Sequence, residues 1–243
     1  MIFSEKDGPF QRKDNAMEKE KIDYKKQEKE FYAPKTEPSI IQVPQMNFIM
    51  IDGHGDPNEE DGEYKKAVEL LYALSYSIKM GQKMNPSDSS LNTFDYVVPP
   101  LEGLWWLEDV SDTDFTRKSN YCWTSMIRQP EFVNSVLFEK AKKSVLKKKP
   151  GLDVSKARLE RFEEGCCVQC MHIGPYDKEP ATLEKIEHFI NINDLINDIG
   201  NLTSENKVRR HHEIYLSDPR KTNPATMKTI LRHPVTRKVN TWN

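Results

Sequence analysis

A chain of 243 residues with 36 Lys and Arg against 38 Asp and Glu carries almost no net charge. That balance excludes the basic surplus of a general nucleic-acid binder, and no apolar run reaches the ~20 residues a bilayer crossing needs. The charged N-terminus lacks the apolar centre of a signal peptide, so a cytoplasmic protein with neither nucleic-acid nor membrane partners is expected.

Residues 1–38 read as a polar, partly disordered arm, in which Met17 begins a more coherent segment and "YAPKTEP" is punctuated by proline. Residues 39–243 read as a single domain. "IIQVPQMNFIMIDGHGDPN" is a strongly apolar strand broken by Gly53, Gly55 and Pro57. In "GEYKKAVELLYALSYSIKMG", Tyr64, Ala67, Val68, Leu71, Leu74 and Ile78 recur at helical spacing, with Gly81 placed to end the helix. "FDYVVPPLEGLWWLED" reads as strand, proline break, strand, and "SNYCWTSMIRQ" as a further strand. "PEFVNSVLFEKAKKSVLKKKPG" is a helix opened by Pro130 and stopped by Pro150-Gly151.

The second half repeats this order. "RFEEGCCVQCMHIGPYDKEP" gives strand, turn and helix start. "ATLEKIEHFINI" is a helix with Leu183, Ile186 and Ile190 on one side, and "HHEIYLSDP" is a closing strand. Setting Gly55-Asp56-Pro57 over Gly174-Pro175-Tyr176 puts Tyr64 over Leu183. Setting Pro100 over Pro219 puts Tyr96 over Tyr215. The expectation is a pseudo-two-fold α+β domain carrying two copies of strand–turn–helix–strand, about 40–150 and 151–240, with the helices on one side of the sheets.

Cys167 and Cys170 have C-x-x-C spacing, but residues three apart in a strand point to opposite faces and no second Cys/His pair follows. They read as small apolar residues of a buried strand, with His172 nearby, and no metal site is expected. Gly53 and Gly55 lack the lysine and serine of a phosphate loop. No cofactor motif is present.

The aromatic residues are placed more informatively. Tyr96, Trp105, Trp106, Tyr121 and Trp123 lie on expected strands of the middle region, and Tyr215 shares a strand with Glu213. Alternation puts Tyr121 and Trp123 on one face and sends Trp105 and Trp106 to opposite faces. Together with a carboxylate such residues resemble a ligand-cavity wall, where stacking and cation–π contacts contribute ~0.5–2 kcal/mol each. Glu213 is conspicuous, because a carboxylate on an apolar strand is costly to bury without a partner. It reads as a general base, as a recognition anion, or as a structural partner of Arg209, Arg210 or a histidine, of which His211 shares its face.

"VPQMNFIMIDGHGDPN", "PLEGLWW", "EEGCCVQCMHIGPYDKEPATLEKI" and above all "HHEIYLSDPRKTNPATMKTILRHPV" resemble the GyrI-like small-molecule-binding family from about Ile40 to Val235, and the preceding arm resembles that of stand-alone members. The resemblance implies an α+β fold of two pseudo-symmetric strand–helix–strand–strand modules around a central groove, and a buried glutamate, here Glu213, facing lipophilic, aromatic or cationic ligands. No helix-turn-helix region is read in the sequence, so the transcription-factor form of the family is not expected. "PLEGLWW" and "NYCWTSMIRQPEFV" look like segments of stand-alone members that act as cyclopropanoid cyclopropyl hydrolases on DNA-alkylating xenobiotics. That likeness implies an aromatic cage led by Trp106 and Trp123, with Tyr121, Tyr96 and Tyr176 behind them and Trp105 as the alternative to Trp106. Glu213 is the implied catalytic group, and Tyr121 or Tyr215 is placed to hydrogen-bond the substrate carbonyl. A non-catalytic, sequestering binder and a topoisomerase-inhibiting partner protein are the alternatives.

Overall fold

Runs of Ile, Val, Phe, Trp and Tyr form the strands of an antiparallel sheet, and three amphipathic segments form the helices that cover it. The computed structural model describes residues 21–84, 93–108 and 117–238. Its strands are β1 (Ser39–Val43), β2 (Met46–His54), β3 (Leu101–Leu107), β4 (Tyr121–Gln129), β5 (Arg158–Phe162), β6 (Gly165–Ile173), β7 (Leu195–Asn197), β8 (His211–Tyr215) and β9 (Lys228–Arg237). They run β1-β6-β9-β8-β3-β4-β2-β5, with β7 pairing β9, and all of these pairs are antiparallel. The helices are α1 (Tyr24–Gln27), α2 (Lys29–Tyr32), α3 (Glu63–Met84), α4 (Ser135–Lys148) and α5 (Pro180–Ile192).

The expected module appears twice, as β2-α3-β3-β4 and as β6-α5-β8-β9, and the two meet where β3 pairs β8. Each outer edge is finished by a strand from the other half: β1 extends β6, and β5 extends β2. Both modules turn out of their first strand through a glycine of positive φ, Gly55 and Gly174, a conformation that side-chain-bearing residues adopt at a cost.

The finer overlay of the halves is corrected. Pro100 precedes β3 whereas Pro219 follows β8, and Tyr96 makes only an isolated bridge to Ile22. Helix α3 has 22 residues against 13 in α5, so an offset that holds at the glycine turns cannot hold beyond the helices. Helix α3 continues through Gly81 to Met84, and α4 starts at Ser135 rather than at Pro130. The start is set by Asn134, whose side chain accepts the Leu137 N–H and so satisfies a donor that the first turn leaves free.

All three long helices lie on one face of the sheet. Leu70, Leu71 and Leu74 of α3 and Phe138 of α4 pack on Ile49, Ile51, Trp123 and Ile127, while Ile186 and Ile190 of α5 pack on Val168, Cys170, Leu231 and Val235. The other face is covered by the arm, whose described part is not a polar extension: Tyr24, Phe31 and Tyr32 are buried against Phe48, Met126, Ile214 and Ile230. Cys167 and Cys170 belong to these two opposite cores. The part of the arm before Lys21, including Met17, lies outside the described residues. No helix among the described residues is long and apolar enough to cross a membrane.

Beneath the arm lies a buried set of charges. His212 Nε2 is 3.1 Å from Glu102 and its Nδ1 is 3.0 Å from Glu164. Both contacts fall away from the N–H directions, so ion pairing rather than aligned hydrogen bonding holds them. Arg232 donates to Gln169, Glu164 and the Phe31 carbonyl, tying the arm to the sheet. Burial alone would lower the His212 pKa, but Glu164 and Glu102 outweigh it and raise it to about 9. Burial would likewise raise that of Glu164, but His212 and Arg232 hold it at about 2.

Removing one partner of such a pair strands the other charge, so Glu164→Gln is expected to cost ~3–5 kcal/mol, read as a lower urea midpoint at unchanged slope. The signs of the two groups differ. The His212 contribution is complete below pH 6.5 and fades as pH rises through 9. That of Glu164 is complete above pH 4.5 and fades as pH falls through 2.

Candidate functional site

The site lies on the helix-bearing face at the seam between the modules. Alternation along β8 puts His211, Glu213 and Tyr215 on this face and His212 and Ile214 on the other, and the β3 partners of the first three are Trp105, Gly103 and Leu101. Opposite Glu213 there is thus no side chain. A Cβ on Gly103 would stand 2.7 Å from Trp105 Nε1 and 3.3 Å from the Tyr215 hydroxyl, so the glycine keeps open the space in which those groups meet.

Both oxygens of Glu213 are engaged. The Tyr215 hydroxyl donates to Oε2 at 2.6 Å, and His211 Nε2 is 3.1 Å from Oε1. The same hydroxyl accepts the Trp105 indole N–H at 2.8 Å. Burial, with the Glu213 charge added, pushes the Tyr215 hydroxyl well up, so it stays a donor. Arg209 is occupied by Asp198, and the Arg210 guanidinium stacks on Trp106, 4.4 Å from the ring centroid. Of the structural partners considered for Glu213, the one in place is His211, and the Glu213 side chain keeps 15 % of its surface exposed.

Aromatic rings surround this carboxylate. Trp105 lies 5.4 Å from Tyr64 and 5.9 Å from Tyr121 between ring centroids, and Tyr176 stands edge-on to Tyr215 at 5.9 Å. Tyr176 is 39 % exposed and forms the outer part of the wall. Trp123 is 0 % exposed, packed edge-on to Tyr64 and seated over Gly53, where a Cβ would meet its ring at 2.3 Å. It backs the wall rather than offering an open surface.

Two expectations are corrected by register. Trp106 does not lead this wall, because β3 turns it to the opposite face, paired with Cys122; Trp105 takes the inner position. Tyr96 packs among Phe94, Phe132 and Lys79 beside the arm, away from Glu213. The structure brings together Glu213, Tyr121, Trp105, Tyr176 and Tyr215, with Trp123 behind them.

Glu179 is a member that sequence reasoning missed. It is the residue before α5, buried, and makes no capping hydrogen bond to the helix. Its Oε1 has no protein partner, nor does Trp123 Nε1, and buried polar atoms are seldom left so. Burial, then the Glu213 charge, pushes the Glu179 carboxyl up to about 9. The positive end of α5 opposes this by ~0.3–1 kcal/mol, less than one pH unit, so the direction stands. At neutral pH Glu179 is a neutral acid facing a second carboxyl group. Tyr64 was also missed as a site residue, since at the start of α3 it is indistinguishable from that helix's apolar stripe. Glu179 had no signal at all, because the turn "GPYDKEP" meets β8 only in the fold.

Among the described residues no group of three or more His, Cys, Asp or Glu is arranged to hold a metal ion. A groove of about 310 Å³ between α3 and α4, lined by Tyr76, Met80 and Lys148 among others, shares no residue with this cluster and brings neither carboxyl nor imidazole.

Because the proton on Glu179 is held only in the folded state, its contribution to stability is complete below pH 4.5 and is lost as pH rises through 9. Glu179→Gln is expected to flatten the decline of unfolding free energy between those values. Denaturant titrations at several pH values check this.

Residues 36–235 match the family model described as the GyrI-like small molecule binding domain. A solved structure of an uncharacterised conserved protein from Listeria innocua is 51 % identical, covers 89 % of this chain and 100 % of its own, and superposes with a TM-score of 0.80. A structure titled as a hydrolase from Listeria innocua is 50 % identical over the same shares, with a TM-score of 0.76. Comparison with curated proteins returns no match.

Proposed function

This chain belongs to the GyrI-like small-molecule-binding family, and from that premise we propose that it binds lipophilic aromatic molecules against Trp105, Tyr121 and Tyr176 and opens the cyclopropane ring of DNA-alkylating xenobiotics by adding water. The observation that carries this reading is the pairing of two unlike carboxyl groups in one aromatic wall: Glu213, clasped by donors, and Glu179, held neutral. The hydrolase title of a relative at 50 % identity supports it.

The chemistry follows from those states. Glu213 accepts a proton from a water whose oxygen bonds to the less hindered ring carbon. The strained C–C bond breaks, and its electron pair passes to the conjugated carbonyl as an enolate. Glu179 donates its proton to the enolate oxygen, giving the neutral hydrated product. Stacking on Trp105 holds the flat substrate in line for attack, and the Tyr121 hydroxyl, kept protonated by burial and the Glu213 charge, is the donor assigned to the carbonyl oxygen.

Incubation of a cyclopropane-bearing alkylator with the protein, followed by mass spectrometry, is expected to show a water-added product formed over many turnovers. Glu213→Gln is expected to slow its formation by ~10²–10⁴-fold, the usual contribution of a general base. Turnover is also expected to fall as pH rises through about 9, where Glu179 loses its proton. Unchanged alkylator with saturable quenching of tryptophan fluorescence would instead identify a sequestering binder.

Trp105→Phe is expected to remove most of any ligand-induced quenching, and Trp106→Phe to leave it, since only Trp105 faces the carboxylates. Fluorescence titration of the two variants checks this.

A further inference from the structure

The buried imidazole of His172 has no part in the chemistry above, yet both of its nitrogens are engaged. It stands on β6, two residues before the turn glycine Gly174, is 4 % exposed and pairs across the sheet with Thr229. Its Nε2 lies 3.1 Å from the Pro175 carbonyl oxygen, and its Nδ1 lies 2.9 Å from the Thr182 hydroxyl. A carbonyl only accepts, so Nε2 carries the hydrogen and, in the neutral ring, Nδ1 accepts that of Thr182. These two contacts fall on either side of one short turn. Tyr176 and Glu179, which this segment supplies to the site, lie between them.

The backbone hydrogen bonds show how the ring holds the turn. The Pro175 carbonyl also accepts the Lys178 N–H at 3.0 Å, and the Glu179 carbonyl accepts those of Thr182 and Leu183 at 2.8 and 3.0 Å. His172 thus bonds the first acceptor of the turn and the side chain of a residue that closes it. Glu179 has φ −58° and ψ −32°, a helical conformation in which its side chain makes no bond to the first turn of α5. A capping residue has an extended backbone, and a carboxylate free to adopt it would be drawn to the first-turn N–H groups and stay charged. In the wound turn, the groups within electrostatic reach of the carboxyl are Glu213 and Tyr215 of β8, Tyr121 of β4 and Tyr176 of its own turn. The first module has no counterpart of the ring: Gly53 stands two residues before Gly55, and Trp123 fills the space over it.

We propose that His172 is a positioning residue, which winds the turn 174–179 so that Glu179 and Tyr176 are delivered to the site rather than to the end of α5. The proposal deepens the hydrolytic reading, on which the role of Glu179 as proton donor rests. His172 acts on the reaction only through that turn.

Carbon-13 NMR of the Glu179 carboxyl, assigned by its absence from Glu179→Gln, tests this without substrate. In the unaltered protein the carboxyl is expected to titrate at about 9. In His172→Phe, which fills the space of the ring and bonds neither partner, the midpoint is expected to fall by about one unit or more, because water and the first-turn N–H groups both favour the anion. Thr182→Val, which removes only the hydroxyl, is expected to lower it less, and His172→Gln, which keeps one donor and one acceptor, least. A midpoint already in the ordinary range in the unaltered protein, or one that His172→Phe and Thr182→Val leave in place, would overturn the proposal. With a turned-over alkylator, the alkaline limb of kcat is expected to move by the same amount in His172→Phe. A profile lowered throughout at an unmoved midpoint is what a merely structural role gives, and it would also overturn the proposal. If the unaltered protein turns over no alkylator, the hydrolytic reading falls by itself, and the NMR titration still decides whether His172 places Glu179.

Discussion

The pairing of β3 with β8 is the constraint on which the rest of this molecule depends. It joins two modules that would otherwise be separate small sheets, and it does so with a five-residue strand whose alternate side chains serve different ends. His211, Glu213 and Tyr215 meet the aromatic wall. His212 and Ile214, facing the other way, meet the buried charges and the apolar side chains under the arm. A slip of one residue in this pairing would exchange the two sets, placing a buried ion network among the helices and Glu213 under the arm. Gly103 makes the pairing possible where the requirements are tightest, because any side chain there would occupy the space of Trp105 and Tyr215.

The two faces handle charge differently. Under the arm, opposite charges approach within about 3 Å and hold one another charged, Glu164 low and His212 high. Such an arrangement is rigid, and it spends its electrostatics on fixing the arm through Arg232. On the helix face, burial and the charge of Glu213 drive Glu179 to remain neutral. Unlike protonation states in neighbouring groups are what acid–base chemistry requires.

Much of this was legible in the sequence, for identifiable reasons. Strand and helix periodicities gave the order of the first module and β6, α5 and β8 of the second, because each element buries one face, but β9 was not read and β8 was taken as the closing strand. The position of Glu213 beside His211 and Tyr215 followed from alternation within one strand. What could not be read depended on pairing between strands. Trp105 and Trp106 differ by one residue, and only the register of β3 on β8 decides which of them meets Glu213. Tyr96 looked equivalent to Tyr215 because a fixed offset was carried across helices of unequal length. Glu179 sits on a turn with no periodic relation to β8, so its coupling to Glu213 arises only when the second module closes on itself. The arm was read as polar by composition, although Tyr24, Phe31 and Tyr32, few as they are, all point inward.

The exchange of edge strands between the halves has a consequence for how such a molecule can come into being and be taken apart. Since β1 extends the sheet of the second module and β5 that of the first, neither half of the chain contains the edge strand that finishes its own module. Cutting the chain between α4 and β5 would leave each fragment with a bare hydrogen-bonding edge fitted to a strand carried by the other. The halves are braided rather than tandem, and the duplication visible in their topology is no longer divisible into two autonomous units.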